Sequence, residues 1–358
     1  ADTARVLANR SDAFGALETQ FMRLSDLPGV PGHEWRVRDE ILRALPAWAR
    51  SRTEVDTAGN VVIALGPERD SIAFIAHMDE VAFEVERIMP DGRVTLRRMG
   101  GVVLQSWEGV PAYLHFDRVG TGSVPPPLRG VFIPRDSART KVPAALVAWF
   151  GMDSSQLVHA GVRPGLGITA YKRAERLAGT RITGRGSDDR TGSTALLAAL
   201  GRIDPARLTR KVFLVWSVHE EGGLNGARAF GNRAGAGLRR VYSIDTFVSS
   251  DTPLETPHFA YAPLGAGLVL RGLDDGSLAP VAERERILRI ARAQGIPIQV
   301  GTTQGATDGS AISPWGAPNV GLSWPGRYSH GPAEVLDLKD VAGLARLIAA
   351  VALETGTR

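Results

Sequence analysis

Residues 212–221 read Val-Phe-Leu-Val-Trp-Ser-Val-His-Glu-Glu, and this stretch indicates both a fold class and a site. Its first seven residues are apolar except for Ser217, which predicts a strand buried on both faces, as in a parallel sheet. The stretch ends in two adjacent carboxylates, Glu220 and Glu221. Burying either of them costs several kcal/mol unless positive charge compensates. We therefore expect cations to be bound where this core strand ends.

A second acidic doublet, Asp188-Asp189, lies in the segment Gly-Ser-Asp-Asp-Arg-Thr-Gly at residues 186–192. It directly precedes a helix that the apolar periodicity predicts over 191–200. Taken alone, such a doublet is an ordinary helix N-cap or a solvated turn. The repetition of the pattern is what favours a metal site.

Other apolar runs also end in polar side chains, and two of those side chains are histidines. Since ligands of open α/β sheets bind beyond the carboxyl ends of the strands, we expect these side chains to meet. The set contains two histidines and six carboxylates, which fits a two-metal site for zinc, cobalt or manganese. Its members are His77, Asp79, Asp188, Asp189, Glu220, Glu221, Asp245 and His330.

The pattern of the whole chain predicts an α/β fold, with a mostly parallel sheet flanked by helices and an inserted β-rich, barrel-like domain. After residue 186, strands alternate with helices, which is typical of a parallel sheet. Residues 82–173 instead carry short alternating runs between Gly and Pro turns, which favour antiparallel strands. We therefore predict a catalytic domain over 1–81 plus 175–358 and an insertion over 82–174.

The predicted elements follow from the same periodicity. The predicted strands are 61–65, 71–76, 212–218, 241–244, 297–300 and 320–323. The predicted helices are one or two over 4–27, then 34–45, 154–160, 191–200, one from 227, 282–294 and 338–354.

Composition excludes several classes of protein and site. The chain has no cysteine, so disulfides, thiolate zinc sites and cysteine nucleophiles are ruled out. Its net charge is only +4 and the basic residues are scattered, which argues against nucleic acid as a partner. No apolar run reaches the ~18 residues that cross a bilayer, so we expect no membrane partner.

Two other enzyme classes fit the acidic residues less well. A glycosidase needs two carboxylates about 5–10 Å apart across the sugar, whereas Glu220 and Glu221 are neighbours that a strand directs to opposite faces. A serine hydrolase would carry a Gly-x-Ser-x-Gly elbow, which the chain lacks. A pure binding module would not need this many buried charges.

The motifs taken together resemble a known family. The chain is similar to the M42 metallo-aminopeptidases, the group of tetrahedral, glutamyl and leucyl aminopeptidases. More distantly it resembles the M20/M28/M42 clan, which includes carboxypeptidases and deacylases. The matching segments are Ala76–Glu80, Ser187–Gly192, His219–Ala227, Ile244–Asp245, Thr307–Gly309 and Arg327–Pro332.

The resemblance implies a role for each of these residues. Two divalent metal ions would be bound, zinc in the first place, with cobalt and manganese as alternatives. His77 and Asp245 would hold one ion, Glu221 and His330 the other, and Asp188 would bridge them. Glu220 would be the general base for an attacking metal-bound water. Asp79 and Asp189 would support the ligands, and Asp308, Arg327 and Tyr328 would bind substrate.

The implied activity is hydrolysis of N-terminal residues from peptides. The alternatives left open are a carboxypeptidase, dipeptidase or deacylase of the same clan and a catalytically silent metal-binding homologue. The resemblance also implies a homo-oligomer built from dimers through the insertion, up to twelve subunits, and a cytoplasmic location. The start at Ala1 and the absence of cysteine leave a secreted or periplasmic location open as the alternative.

Overall fold

The computed structural model describes residues 14–118, 120, 122–135, 145–249 and 260–355. Of the helical segment predicted over 4–27, residues 4–13 lie outside the described residues, and a helix occupies 15–25. Among the described residues, no helix combines the length and the apolar character needed to cross a bilayer.

The described residues contain seventeen strands, numbered in chain order. They are β1 Thr53–Val55, β2 Val61–Leu65, β3 Ser71–His77, β4 Ala82–Ile88, β5 Arg93–Met99, β6 Pro111–Leu114, β7 Leu128–Phe132, β8 Val147–Trp149, β9 Gly167–Ala170, β10 Glu175–Arg176, β11 Arg181–Gly184, β12 Val212–Ser217, β13 Leu238–Val248, β14 Leu268–Leu273, β15 Ile298–Thr302, β16 Asn319–Gly326 and β17 Glu334–Asp337.

The α-helices are numbered in the same way. They are α1 Gly15–Ser25, α2 Trp35–Ala44, α3 Ala47–Arg50, α4 Leu104–Trp107, α5 Ser154–His159, α6 Ser187–Leu200, α7 Asn225–Ala234, α8 Val281–Ala293, α9 Asp308–Ile312 and α10 Leu338–Leu353. Short 3-10 turns occupy Pro205–Arg207, Gly235–Gly237 and Ser313–Trp315.

Eight strands form the central sheet, in the order β1-β2-β12-β3-β13-β16-β14-β15. The pairs β12–β3, β3–β13, β13–β16 and β14–β15 are parallel, whereas β14 runs antiparallel to β16. The predicted fold class, a mostly parallel sheet with helices on both faces, is confirmed. Because β3, β12, β13 and β16 are parallel, their carboxyl ends share one edge of the sheet.

Helices cover both faces of this sheet. On one face, Phe21 of α1, Leu196 of α6 and Leu344 of α10 pack with Trp216 of β12 in the larger core. On the other face, α7 and α9 bury Phe230 and Ile312 against β3, β12 and β13. The sheet is therefore enclosed, and its loops at the carboxyl edge are where polar side chains collect.

The β-rich segment forms a closed barrel of six strands, in the order β4-β5-β8-β7-β6-β9. It has its own core, in which the ring of Trp107 meets Phe83 and Phe132 edge-on at centroid distances of 5.3 and 5.5 Å. Such edge-to-face contacts add to the burial of the rings. The barrel and the sheet are thus held by separate cores.

A third, three-stranded sheet lies in the order β10-β11-β17. In this sheet β11, which follows the barrel in the chain, runs antiparallel to β17. Gly184 of β11 lies opposite Glu334 of β17. This sheet connects the start of α6 to the segment after β16, so it sets the relative position of the Asp188 and His330 regions.

Candidate metal centre

His77 is the last residue of β3, and its imidazole lies at the centre of the acidic residues. Its Nε2 is 3.3 Å from Asp188 Oδ1 and 4.0 Å from Glu220 Oε2. Its Nδ1 is 3.5 Å from Asp79 Oδ1, which is long for a hydrogen bond but close enough for electrostatic attraction. One imidazole is therefore surrounded by three carboxylates contributed by three different segments.

The side chains form groups that could each hold a metal ion, with ligand atoms within 4.8 Å of one another. The first group contains His77, Asp188 and Asp245, and the second contains Asp188, Glu221 and His330. Asp188 belongs to both. A further combination contains His77, Glu220 and Glu221. The five predicted ligands are thus brought together, with one shared carboxylate between the two groups.

The backbone around Asp188 departs from regular helix. Although helix α6 is assigned from Ser187, Asp188 and Asp189 have non-helical backbone angles, and a cis peptide bond joins them. Regular helix begins only after this doublet, close to the predicted start. The Asp189 side chain turns away from Asp188 and accepts hydrogen bonds from Trp324 Nε1 and Gly192 N, both at 2.8 Å.

His330 is oriented by a contact that reaches across to the barrel segment. Its Nδ1 lies 2.9 Å from the carbonyl oxygen of Gly101. A carbonyl oxygen only accepts, so Nδ1 donates the proton of this bond, and in the neutral imidazole Nε2 keeps its lone pair. That Nε2 lies 3.5 Å from Glu221 Oε1 and 3.7 Å from Asp188 Oδ2. The tautomer is therefore the one that can bind a metal.

The backbone of His330 is held by the same barrel segment. Its carbonyl oxygen accepts hydrogen bonds from Trp107 Nε1 at 3.2 Å and from Val103 N at 3.3 Å. Trp107 in turn belongs to the barrel core. The barrel thus builds one wall of the site, which sequence reasoning did not anticipate.

Asp79 supports the second doublet more directly than it supports His77. Its two carboxylate oxygens accept hydrogen bonds from the backbone N–H groups of Glu220 and Glu221, each at 3.0 Å. The side chain is fully buried. Because both amides point to one carboxylate, the turn that carries the doublet has a fixed position.

The electrostatics of the site show a surplus of negative charge. Burial, together with Asp245 and Glu221, raises the pKa of Glu220 well above its ordinary value, although His77 opposes this. Burial and Asp188 likewise raise the pKa of Asp245 to about 7. For Asp188, burial acts in the same direction, but His77 and His330 hold the pKa below its ordinary value. The ligand groups bring four carboxylates and two imidazoles together, so cations would relieve the repulsion.

The donor set and the unsatisfied atoms both fit a divalent cation. Asp188 Oδ1 and Glu221 Oε1 are buried without a hydrogen-bond partner among the described residues. Buried polar atoms are almost always partnered, so each such atom needs an explanation. Imidazole nitrogen and carboxylate oxygen are ligands for zinc, and for cobalt and manganese.

The three residues predicted to bind substrate lie at different depths. Asp308, at the start of α9, is buried with its carboxylate bonded to the hydroxyl of Ser217 on β12. Arg327 is half-buried, and Tyr328 is 46% exposed. None of the three belongs to a ligand group. Only Tyr328 presents a largely accessible side chain.

The sequence of this chain matches that of a known protein family. The sequence model of the family described as M42 glutamyl aminopeptidase matches residues 59–347. The chain belongs to the M42 aminopeptidase family. The match covers the five predicted ligands, Glu220 and the barrel segment. Membership makes the chain a peptide hydrolase, as the motifs predicted.

Individual relatives agree with this M42 assignment over nearly the full length. Escherichia coli (strain K12) SgcX is 30% identical over 359 residues, covering 95% of this chain and 94% of that protein. Lysyl aminopeptidase of Pyrococcus furiosus is 26% identical, covering 92% and 94%. The structure of the Pyrococcus horikoshii TET1 peptidase, which assembles into a tetrahedron or a large octahedral shell, is 29% identical with a TM-score of 0.85, covering 95% and 100%.

Two residues of this M42 site were missed from the sequence. Gly101 contributes only a carbonyl oxygen, and it lies 229 positions before His330, so no side-chain pattern connects the two. Glu334 lies four residues after His330 and bonds to the backbone N–H groups of Asp188 and His330. The only available signal was an acidic residue close behind a predicted ligand.

Proposed function

We propose that this M42 protein is a dinuclear metal-dependent aminopeptidase that removes N-terminal residues from peptides. The observation that carries the proposal is the sharing of Asp188 by two groups of metal-binding side chains. A single-ion site would need only one such group. Two groups with a common carboxylate are the arrangement expected of a site that binds two ions side by side.

The ligands are assigned to the two ions according to these groups. His77 and Asp245 would hold one ion, Glu221 and His330 would hold the other, and Asp188 would bridge them. The mixture of nitrogen and oxygen ligands suits zinc best, with cobalt and manganese as alternatives. When bound, two such ions polarise the carbonyl group of the substrate and lower the pKa of the attacking water.

Glu220 is the residue that we assign to proton transfer. Its carboxylate lies 4.0 Å from His77 and its side chain is 10% exposed, so it borders the ligands and is mostly buried. Its backbone is fixed by Asp79. A carboxylate held beside the ligands in this way can take up and return a proton.

Glu220 would carry the proton that passes from the water to the leaving nitrogen. Glu220 accepts a proton from the water as the water oxygen bonds to the peptide carbon. It then donates that proton to the departing nitrogen as the C–N bond breaks. The products are a free amino acid and a peptide shortened by one residue, and Glu220 returns to its starting state.

Substrate recognition is assigned to residues beside the ligands. We infer that a free N-terminal amine is recognised close to the ligand groups, by a carboxylate or by an ion itself. Tyr328 has the exposure to contact the substrate, and Arg327 is its neighbour. Asp308 would act from behind the site, through Ser217.

A homo-oligomer is also part of the proposal. We infer that residues 82–174 are the insertion through which two copies associate, and that such dimers build a larger shell. The P. horikoshii TET1 peptidase, at 29% identity, can assemble into a tetrahedron or a large octahedral shell. Trp149 and Tyr171, which are 47% and 43% exposed, are large side chains on this segment that a contact between copies would bury.

A comparison of free and blocked substrates tests the activity. We expect the metal-stripped protein to be inactive, and zinc, cobalt or manganese to restore cleavage of aminoacyl-nitroanilides. The N-acetylated form of the best substrate should not be cleaved, because it lacks the cationic amine. Release of nitroaniline from the acetylated form at a similar rate would contradict the proposal, and release of acetate from it would favour the deacylase alternative.

A further inference from the structure

The carboxylate of Glu334 joins two of the proposed ligand residues through their backbones. Its Oε2 accepts a hydrogen bond from Asp188 N and its Oε1 accepts one from His330 N, each at 3.0 Å. Glu334 is 2% exposed. Both oxygens of one buried side chain are thus used to hold the start of α6 next to the loop after β16.

The loop that carries His330 needs such an acceptor. Both Tyr328 and His330 have positive φ angles, 61° and 64°, which non-glycine residues adopt rarely. The loop is closed by hydrogen bonds between Arg327 and Val335. Inside that closure, the carboxylate of Glu334 takes the N–H group of His330 and so favours the left-handed conformation that directs its imidazole into the site.

The two ligand groups differ in how their backbones are held. His77 and Asp245 lie in strands β3 and β13, where sheet pairing fixes the main chain. Asp188, Glu221 and His330 lie outside the strands. Each of these three has its backbone N–H bonded to a buried carboxylate, Glu221 to Asp79 and the other two to Glu334. Carboxylates therefore replace the sheet as the support of this second group.

We propose that Glu334 is a positioning residue that sets the affinity of the ion position formed by Asp188, Glu221 and His330. This inference rests on the proposed function, since it presumes two ions. Loss of the Glu334 clamp frees the backbones of two of the three ligands. The position formed by His77, Asp188 and Asp245 keeps two ligands in the sheet and is affected less.

The Glu334→Gln variant tests this with little change in shape. A glutamine side chain offers one oxygen, so it can accept from only one of the two amides, and its NH₂ group faces the other donor. We expect one of two ions to bind about 10- to 100-fold more weakly, the range found when a ligand's supporting partner is lost. The other ion should bind nearly as in the wild type.

Asp340 provides the matched control. It is also a buried carboxylate that accepts two backbone amides, Gly265 N and Gly267 N, each at 2.7 Å, and neither glycine is a proposed ligand. Asp340→Asn should lower the melting temperature without changing either zinc affinity. Glu334→Asp keeps both oxygens on a shorter side chain. Its affinity for the more weakly bound zinc ion should therefore fall between the corresponding affinities of the wild type and Glu334→Gln.

Equilibrium dialysis of each metal-stripped protein against zinc, with a thermal melt of the same sample, measures these effects. Selective weakening of one ion in Glu334→Gln, with turnover restored by excess zinc, is the expected result. Unchanged affinities, or equal weakening of both ions, would overturn the positioning role. If the wild type binds fewer than two ions, the proposed function fails instead, so the two failures are distinguishable.

Discussion

The Glu220→Gln variant is expected to lose turnover by about 10²- to 10⁴-fold, the contribution usual for a general acid–base group. The amide has nearly the same shape as the carboxylate but cannot accept the proton of the attacking water. The hydrogen bond from its backbone N–H group to Asp79 is independent of the side chain, so the turn should stay in place. Glu220 is not one of the five assigned ligands, and both ions should remain bound. Steady-state kcat and the zinc content of the purified variant measure the two effects.

Glu283→Gln is a suitable control for that variant. The side chain of Glu283 is 11% exposed, close to the 10% of Glu220, and it pairs with Arg240 and Arg286 rather than with the site. This control should lose some stability through its broken ion pairs and keep its turnover. Undiminished turnover in Glu220→Gln would remove Glu220 from the mechanism. Loss of zinc from that variant would make Glu220 a ligand instead.

The second large effect is expected from Gly101→Ala, a change of one methyl group outside the predicted site. A Cβ atom at this position would lie 2.8 Å from His330 Nδ1, closer than real Cβ contacts allow. The imidazole must then move away from Asp188 and Glu221 or lose its hydrogen bond to the Gly101 carbonyl. We expect about 10- to 100-fold weaker binding of one zinc ion, and a matching loss of turnover when zinc is limiting.

Gly237→Ala serves as the matched control, because no atom lies within 4 Å of the added Cβ and the backbone there needs no positive φ. It should leave zinc binding and turnover unchanged. Zinc titrations of the two alanine variants, monitored by activity, make the comparison. Wild-type zinc affinity in Gly101→Ala would show that the barrel contact does not orient His330.

The sequence predicted the convergence of the site because convergence follows from topology. His77 and Asp245 end or lie in parallel strands, and the Glu220-Glu221 doublet follows a third. Once those strands are predicted to be parallel, their carboxyl ends must share an edge. The resemblance to M42 enzymes then suggested which carboxylate is shared, and the geometry has Asp188 in both groups.

Strands β14 and β17 were not predicted from the sequence, and each omission has a physical reason. Strand β14 contains Arg271, which interrupts its apolar pattern, but the guanidinium is buried through bonds to Asp274 and to the carbonyl of Thr246. Strand β17 has only four residues, too few for a clear period. In both cases long-range partners decide the conformation, and local pattern does not contain them.

The contacts that support the ligands could not be predicted from the sequence pattern either. Gly101 acts through its carbonyl group, which every residue has, and Glu334 acts on backbone amides, which carry no sequence signature. Asp79 was predicted to orient His77, and the structure has its stronger contacts with the amides of Glu220 and Glu221. Ligand types can be predicted from chemistry, whereas the groups that fix their backbones depend on tertiary structure.

The central claim is a site that uses two metal ions joined by Asp188, and a count of ions against activity tests it most directly. The metal-stripped protein is dialysed against increasing zinc, and bound zinc per protomer is measured together with turnover of an unblocked aminoacyl-nitroanilide. We predict saturation at two zinc ions per protomer, with full turnover reached only as the second ion binds. Full turnover with one ion, or with none in the presence of a chelator, would contradict the account.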